Sequence, residues 1–130
     1  LHKPWKEIFS KEEMLEMAKE LSQFTKRYVI LKGYENENNE LGMIVLDKEE
    51  STCEIVYNDK IDYVSHGTGD VFASALLAGL LNDKTLAEAT KIAVDFTEDS
   101  IIKTKEAQTD TRYGVLFEKC IPNYVRALGI

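Results

Sequence analysis

Basic charge is scarce in this sequence. Its 130 residues carry 16 Lys and Arg against 23 Asp and Glu, a formal net charge of -7. That balance opposes binding to nucleic acid or to anionic lipid, and its plain role is solubility. Cysteine is scarcer still: Cys53 and Cys120 are the only two. Neither belongs to a CxxC pair or stands at ligand spacing from His2 or His66, so no metal site is expected from them. A disulfide between them stays open; the alternative is a pair of buried or idle thiols in a reducing cytosol. No apolar run is long enough to span a bilayer, and Leu1-His2-Lys3-Pro4-Trp5-Lys6 lacks an apolar signal core. These absences point to a cytoplasmic protein with no membrane or nucleic-acid partner. Repeats, low-complexity segments and interdomain linkers are missing too, which at this length predicts a single domain over 1–130.

What is present reads as a folded α/β chain. It is 44% hydrophobic and 30% charged, too apolar for a disordered segment. Ser10 and Glu13 form a capping box ahead of Met14, Met17, Ala18, Leu21 and Phe24, spaced as one apolar helix face. The unbroken apolar run 28–31 predicts a strand buried on both faces of a parallel sheet, ended by Lys32 and Gly33. Residues 35–40 are an exposed turn. Residues 41–46 and 52–57 are strand-like around the polar connection 47–51, a β-hairpin. Residues 61–65 are extended and lead into His66, Gly67, Thr68, Gly69 and Asp70. The helix expected over 71–81 is apolar nearly all round and therefore central. Gly79 in its interior costs about 1 kcal/mol of helix propensity, which close packing on a neighbour would explain. Thr85 and Glu88 form a second capping box for a helix to about Thr104, with Leu86, Ala89, Ile92, Ala93, Phe96 and Ile101 inward. Residues 107–112 read as a loose polar loop, 113–117 as a return to the core, and Pro122 as the first turn of a closing helix.

Chemistry concentrates at residues 67–70. An extended segment, two glycines one residue apart and then a helix make a phosphate site. The glycines let amides approach an anion, and a helix start offers unpaired N–H donors at its positive end. Asp70 at the lip of that site is placed to take a proton from an attacking hydroxyl. On spacing alone, a glycine pair before a helix is also a plain turn, and Asp70 a plain N-cap. Asp95, Glu98 and Asp99 read as a solvated face.

The segment His66-Gly67-Thr68-Gly69-Asp70-Val71-Phe72-Ala73-Ser74-Ala75-Leu76-Leu77 resembles the signature of the ribokinase-like superfamily, and within it the pyridoxal kinases. Sugar kinases usually have alanine at the position of Thr68, and many hydroxymethylpyrimidine kinases have cysteine at that of Asp70. The likeness runs on through 86–104 and through Arg112-Tyr113-Gly114-Val115-Leu116-Phe117-Glu118. It implies the C-terminal part of a ribokinase-like three-layer α/β/α sandwich with a β-hairpin. This would be an ATP-binding, catalytic portion of a kinase for the 5'-hydroxymethyl group of pyridoxal or a related B6 vitamer, working with ATP and Mg2+.

By this resemblance Asp70 would be the catalytic base. The amides of Gly67, Thr68, Gly69 and Asp70 would form the anion hole. Lys32, Gly33 and His66 would lie beside the nucleotide, and Val94 and Ile101 would line the adenine pocket. Read alone, Lys32 is a solvated strand-end lysine, Val94 and Ile101 are core, and His66 packs. The resemblance implies no metal ligand here: the Asn/Glu motif associated with magnesium would end just before Leu1, within an N-terminal part that also holds most of the substrate pocket. The isolated chain is accordingly expected to be inactive, the full-length protein a homodimer, and strand 28–31 to lack a sheet neighbour and so promote association. Alternatives are a hydroxymethylpyrimidine or sugar kinase of the same superfamily, a non-catalytic nucleotide-binding module, or a pure interaction domain.

Overall fold

The capping box at Ser10 starts the first element. The structure, a computed structural model, describes residues 9–63 and 65–130; His2 and Val64 lie outside the described residues. The Glu13 amide donates to Ser10 Oγ at 3.2 Å, and the Ser10 amide donates to Glu13 Oε2 at 2.8 Å. Helix α1 (Lys11–Ser22) follows and buries Met14 and Ala18. Phe24 lies beyond its end and is exposed, so the apolar stripe stops at Leu21. The described residues fall into two compact units, the first ending at Lys60 and the second beginning at Ile61.

In the first unit α1 packs on an antiparallel sheet of β1 (Tyr28–Glu35), β2 (Glu40–Asp47) and β3 (Thr52–Asp59), in the order β1-β2-β3. Met14 and Ala18 meet Val29, Ile44 and Leu46 in its core. The hairpin is as read. The strand at 28–31 is not: it runs antiparallel beside β2, with Tyr28 opposite Asp47, and only Val29 is fully buried. An apolar run specifies burial but not the direction of its partner, and the hairpin that follows supplied an antiparallel one. Nor does the strand end at Gly33. Lys32 pairs with Met43 and Tyr34 with Gly42, leaving Gly33 as a bulge at φ +108, a conformation cheap only for glycine. The Tyr34 ring then covers Gly42: a Cβ there would lie 2.6 Å from Tyr34 Cδ1.

Asp47, read as part of a polar connection, is the buried end of β2. It accepts from Arg27 Nε at 3.3 Å, from Arg27 Nη2 at 3.4 Å and from the Glu49 and Glu50 amides. Burial alone would raise its pKa. The hydrogen bonds from Arg27, Glu50 and Glu49 outweigh burial and hold it below the ordinary value of 3.8. A carboxylate depressed by folding contributes stability above its unfolded pKa, and that stability is lost as pH falls through the folded value. Asp47→Asn should therefore lower the urea midpoint at pH 7 and flatten its decline below about pH 4. Equal midpoint losses at pH 7 and pH 3 would count against a charge-based role.

The second unit is helical. Helix α2 (Thr68–Leu81) and α3 (Leu86–Ala107) form a hairpin, α3 starting at the expected capping box. The Glu88 amide donates to Thr85 Oγ1 at 3.2 Å, and the Thr85 amide to Glu88 Oε2 at 2.9 Å. Gly79 is the point of closest approach: a Cβ there would stand 2.8 Å from Ala89 Cβ. Only Phe72, Ala75 and Gly79 of α2 are buried, and Leu77 and Leu81 are 57% and 75% exposed. The helix is thus not enclosed all round by the described residues. The chain returns through a 3₁₀ turn (Thr111–Tyr113) and a second one (Phe117–Cys120) into α4 (Ile121–Leu128), with Pro122 in its first turn as expected. Of residues 113–117 only Val115 is buried; Tyr113 and Phe117 face outward. The buried Thr104 hydroxyl fixes this return, accepting from the Leu116 amide at 2.8 Å. Cys53 is exposed, Cys120 is buried, and both are free thiols. Among the described residues no helix is long and apolar enough to cross a membrane.

Candidate active site

Gly67 takes a left-handed conformation, φ +78 and ψ 2, and caps α2 without any side-chain hydrogen bond. That conformation starts the helix at Thr68, three residues earlier than the apolar pattern suggests. Asp70 is consequently not the N-cap; it is the third residue of the first turn, where a carboxylate also suits the helix dipole. The first intrahelical bond runs from the Val71 amide to the Gly67 carbonyl at 3.1 Å. The amides of Gly67, Thr68, Gly69 and Asp70 precede it, so the helical ladder uses none of them. A Cβ at Gly67 or Gly69 would meet nothing within 4 Å. Gly67, Gly69 and Asp70 are exposed and Thr68 is half-buried. An uncapped helix start with open glycines has the donor set and the room for a phosphate group.

Behind Asp70 lies an apolar cleft of about 470 Å³ along α2 and α4, bounded by Asp70, Val71, Ser74, Ala78, Phe117 and Val125 among others. Tyr124 forms part of its wall. Its hydroxyl donates to the Ala75 carbonyl at 2.9 Å, and its ring stacks on Phe96 with centroids 4.4 Å apart. Burial pushes the Tyr124 phenol up from its ordinary pKa, so it remains a neutral donor. Sequence reasoning missed this cleft. The outward placement of Phe117 makes one side of it, and reading residues 113–117 as core concealed that.

His66 is exposed and contiguous with the glycine turn, and its carbonyl lies against Gly114. Val94 is 2% exposed, within the packed face of α3, and Ile101 on the same helix is half-buried. Lys32 and Gly33 belong to the first unit, at the bulge of β1. Lys32 is exposed, yet partial desolvation lowers its pKa below the ordinary lysine value. Among the described residues no group of three or more His, Cys, Asp or Glu side chains is placed to hold a metal ion. The described residues thus fit a phosphate and offer no ready-made cluster of three or more metal ligands.

The family profile for phosphomethylpyrimidine kinase matches residues 1–115. No curated protein sequence matches the chain. Among solved structures, a Bacteroides thetaiotaomicron protein assigned as a phosphomethylpyrimidine kinase superposes with a TM-score of 0.84 at 25% identity, over 93% of this chain and 42% of its own. A second crystal form of that protein, with pyridoxal, gives 0.83 at 25% identity over 94% of this chain and 43% of its own. Pyridoxal kinase from Entamoeba histolytica gives 0.71 at 17% identity over 88% and 40%, a likeness of fold. The chain therefore spans about two fifths of the length of the relatives it matches.

Proposed function

The chain belongs to the phosphomethylpyrimidine kinase family, and from that premise we propose that it supplies the phosphate site and catalytic base of an ATP-dependent vitamin B6 kinase. The reaction is transfer of the γ-phosphoryl group of ATP to the 5'-hydroxymethyl group of pyridoxal or a related vitamer. One observation carries the reading: the Asp70 carboxylate shares the first turn of α2 with the four amides that the helical ladder leaves unused. Asp70 accepts the hydroxyl proton as the new O–P bond forms. The bond from the γ-phosphorus to the bridging oxygen breaks, and ADP leaves with its electron pair. The amides of Gly67, Thr68, Gly69 and Asp70 hold the oxygens of the transferring group. Catalysis of this kind is positioning plus charge stabilisation.

In the same reading His66 flanks the phosphates, and Val94 and Ile101 back the adenine. Mg2+, when bound, would neutralise charge on the nucleotide phosphates. The full-length enzyme is a cytoplasmic homodimer. Choice of pyridoxal is supported by Thr68 and Asp70 in the signature segment and by the relative crystallised with pyridoxal. The family's own description favours a second reading, in which the acceptor is a hydroxymethylpyrimidine.

The test is turnover by the full-length protein with Mg-ATP and, in turn, pyridoxal, hydroxymethylpyrimidine and ribose. The expected result is highest kcat/KM for pyridoxal. Preference for hydroxymethylpyrimidine would move the substrate to the second reading. ATP binding with no turnover of any of the three would leave a nucleotide-binding module and refute the enzyme.

A further inference from the structure

A nucleotide polyphosphate approaching this chain meets a net charge of -7 and, at the start of α2, the Asp70 carboxylate. A nearby side-chain cation would favour binding, and of the second-unit residues at the candidate site only His66 has a basic side chain. The return from α3 supplies one. Gly114, at φ +79, sits against the residue that precedes the glycine turn, the direction of its missing Cβ ending 3.6 Å from the His66 carbonyl oxygen. The segment is anchored at both ends. The Tyr113 amide donates to the Asp110 carbonyl at 3.1 Å, and the Leu116 amide donates to Thr104 Oγ1 at 2.8 Å. Arg112 is thereby carried on a short turn two residues before Gly114, the residue that meets the His66 carbonyl.

The guanidinium is already engaged, by a carboxylate in a solvent-exposed pair. Arg112 Nε donates to Asp110 Oδ1 at 3.1 Å and Oδ2 at 2.9 Å, and Nη2 donates to Oδ2 at 2.6 Å. The Arg112 amide also donates to Asp110 Oδ1, at 3.0 Å. The Arg112 side chain remains 78% exposed. A solvent-exposed ion pair gives little net stability, whereas the arginine fork binds phosphate oxygens bidentately. An adjoining polyphosphate offers more charge and the same fork geometry, so it competes for the guanidinium.

We infer that Arg112 is a nucleotide-phosphate ligand held in reserve by Asp110, exchanging from that carboxylate onto the polyphosphate when nucleotide binds at the α2 N-terminus. The inference rests on the kinase reading and adds a residue to it. It makes Asp110 a competitor for the bound state rather than a support of it, and the two residues should therefore act with opposite sign. A purely structural ion pair, pinning the 3₁₀ turn, would make both removals act alike.

The experiment is calorimetric titration of the full-length protein with ATP and with inorganic triphosphate, for wild type, Arg112→Ala, Arg112→Lys and Asp110→Asn, alongside thermal melts. Arg112→Ala should weaken ATP binding by roughly 10- to 100-fold, the scale of a charge-assisted hydrogen-bond set, with Arg112→Lys between it and wild type. Asp110→Asn should tighten binding by several-fold. In turnover, Arg112→Ala should raise KM for ATP with kcat little changed, the mark of lost uniform binding. If Arg112→Ala and Asp110→Asn both weaken binding, or Arg112→Ala leaves it unchanged while wild type binds, the exchange is overturned and the kinase reading stands. If wild type binds neither ATP nor triphosphate, the kinase reading falls and this inference with it.

Discussion

Asp70→Asn is expected to lower kcat of the full-length enzyme by about 10²- to 10⁴-fold while the protein still folds and binds ATP. The substitution keeps the size and shape of the side chain in the first turn of α2 and removes only its basicity and charge. Loss of a negative charge beside a polyphosphate leaves ATP affinity equal or tighter, so the deficit should appear in kcat and in kcat/KM together, with KM for ATP unchanged or lower. That pattern belongs to a group acting in the transition state. If Asp70 served only as a dipole partner at the helix start, Asp70→Asn would lower thermal stability slightly and leave turnover intact. A single set of steady-state assays with matched melting curves separates the two roles.

Gly79→Ala is expected to destabilise the protein although alanine is the better helix former. Propensity favours the change by about 1 kcal/mol. Against that, the new methyl would stand 2.8 Å from Ala89 Cβ and 3.1 Å from Ala89 Cα. Neither atom can rotate away, since an alanine Cβ is fixed by its backbone, so α2 and α3 must part. Overpacking of this kind costs typically 1–3 kcal/mol, and after the propensity gain the net loss should be up to about 2 kcal/mol by urea denaturation. Gly79→Leu should lose more and should also impair catalysis, because α2 carries Asp70 at its other end. Adding Ala89→Gly to Gly79→Ala should recover part of the loss, since contacting residues are not additive. A more stable Gly79→Ala protein would show that the helices separate at no cost.

The parts of this molecule that were legible in its sequence are those decided by residues close together in the chain. Ser10 with Glu13 and Thr85 with Glu88 announce helix starts because the cap is a contact over three residues. The hairpin of β2 and β3 is legible for the same reason. The glycine turn before α2 was legible too, and the family match bears out the resemblance first seen there. What escaped depended on partners elsewhere or on a single backbone angle. The antiparallel pairing of β1 depends on β2. The buried state of Asp47 depends on Arg27, twenty residues earlier. The start of α2 at Thr68 depends on the positive φ of Gly67, which no side-chain pattern records. The cleft behind Asp70 depends on α4 and on an outward Phe117, more than forty positions downstream.

The bulge in β1 carries one more consequence. A strand is a two-letter code in which odd and even positions name opposite faces. Val29 and Leu31 pair with Leu46 and Ile44, on the face that meets α1, and parity would send Gly33 there next. The inserted Gly33 slips the phase, and Tyr34 takes that face instead, its ring over Gly42. Counting by twos from Tyr28 therefore gives every residue up to Leu31 its correct side and misassigns those beyond Gly33. One residue without a side chain rewrites the meaning of the positions that follow it, and it lets residues 28–35 run beside only 41–47 without moving the tyrosine off the core.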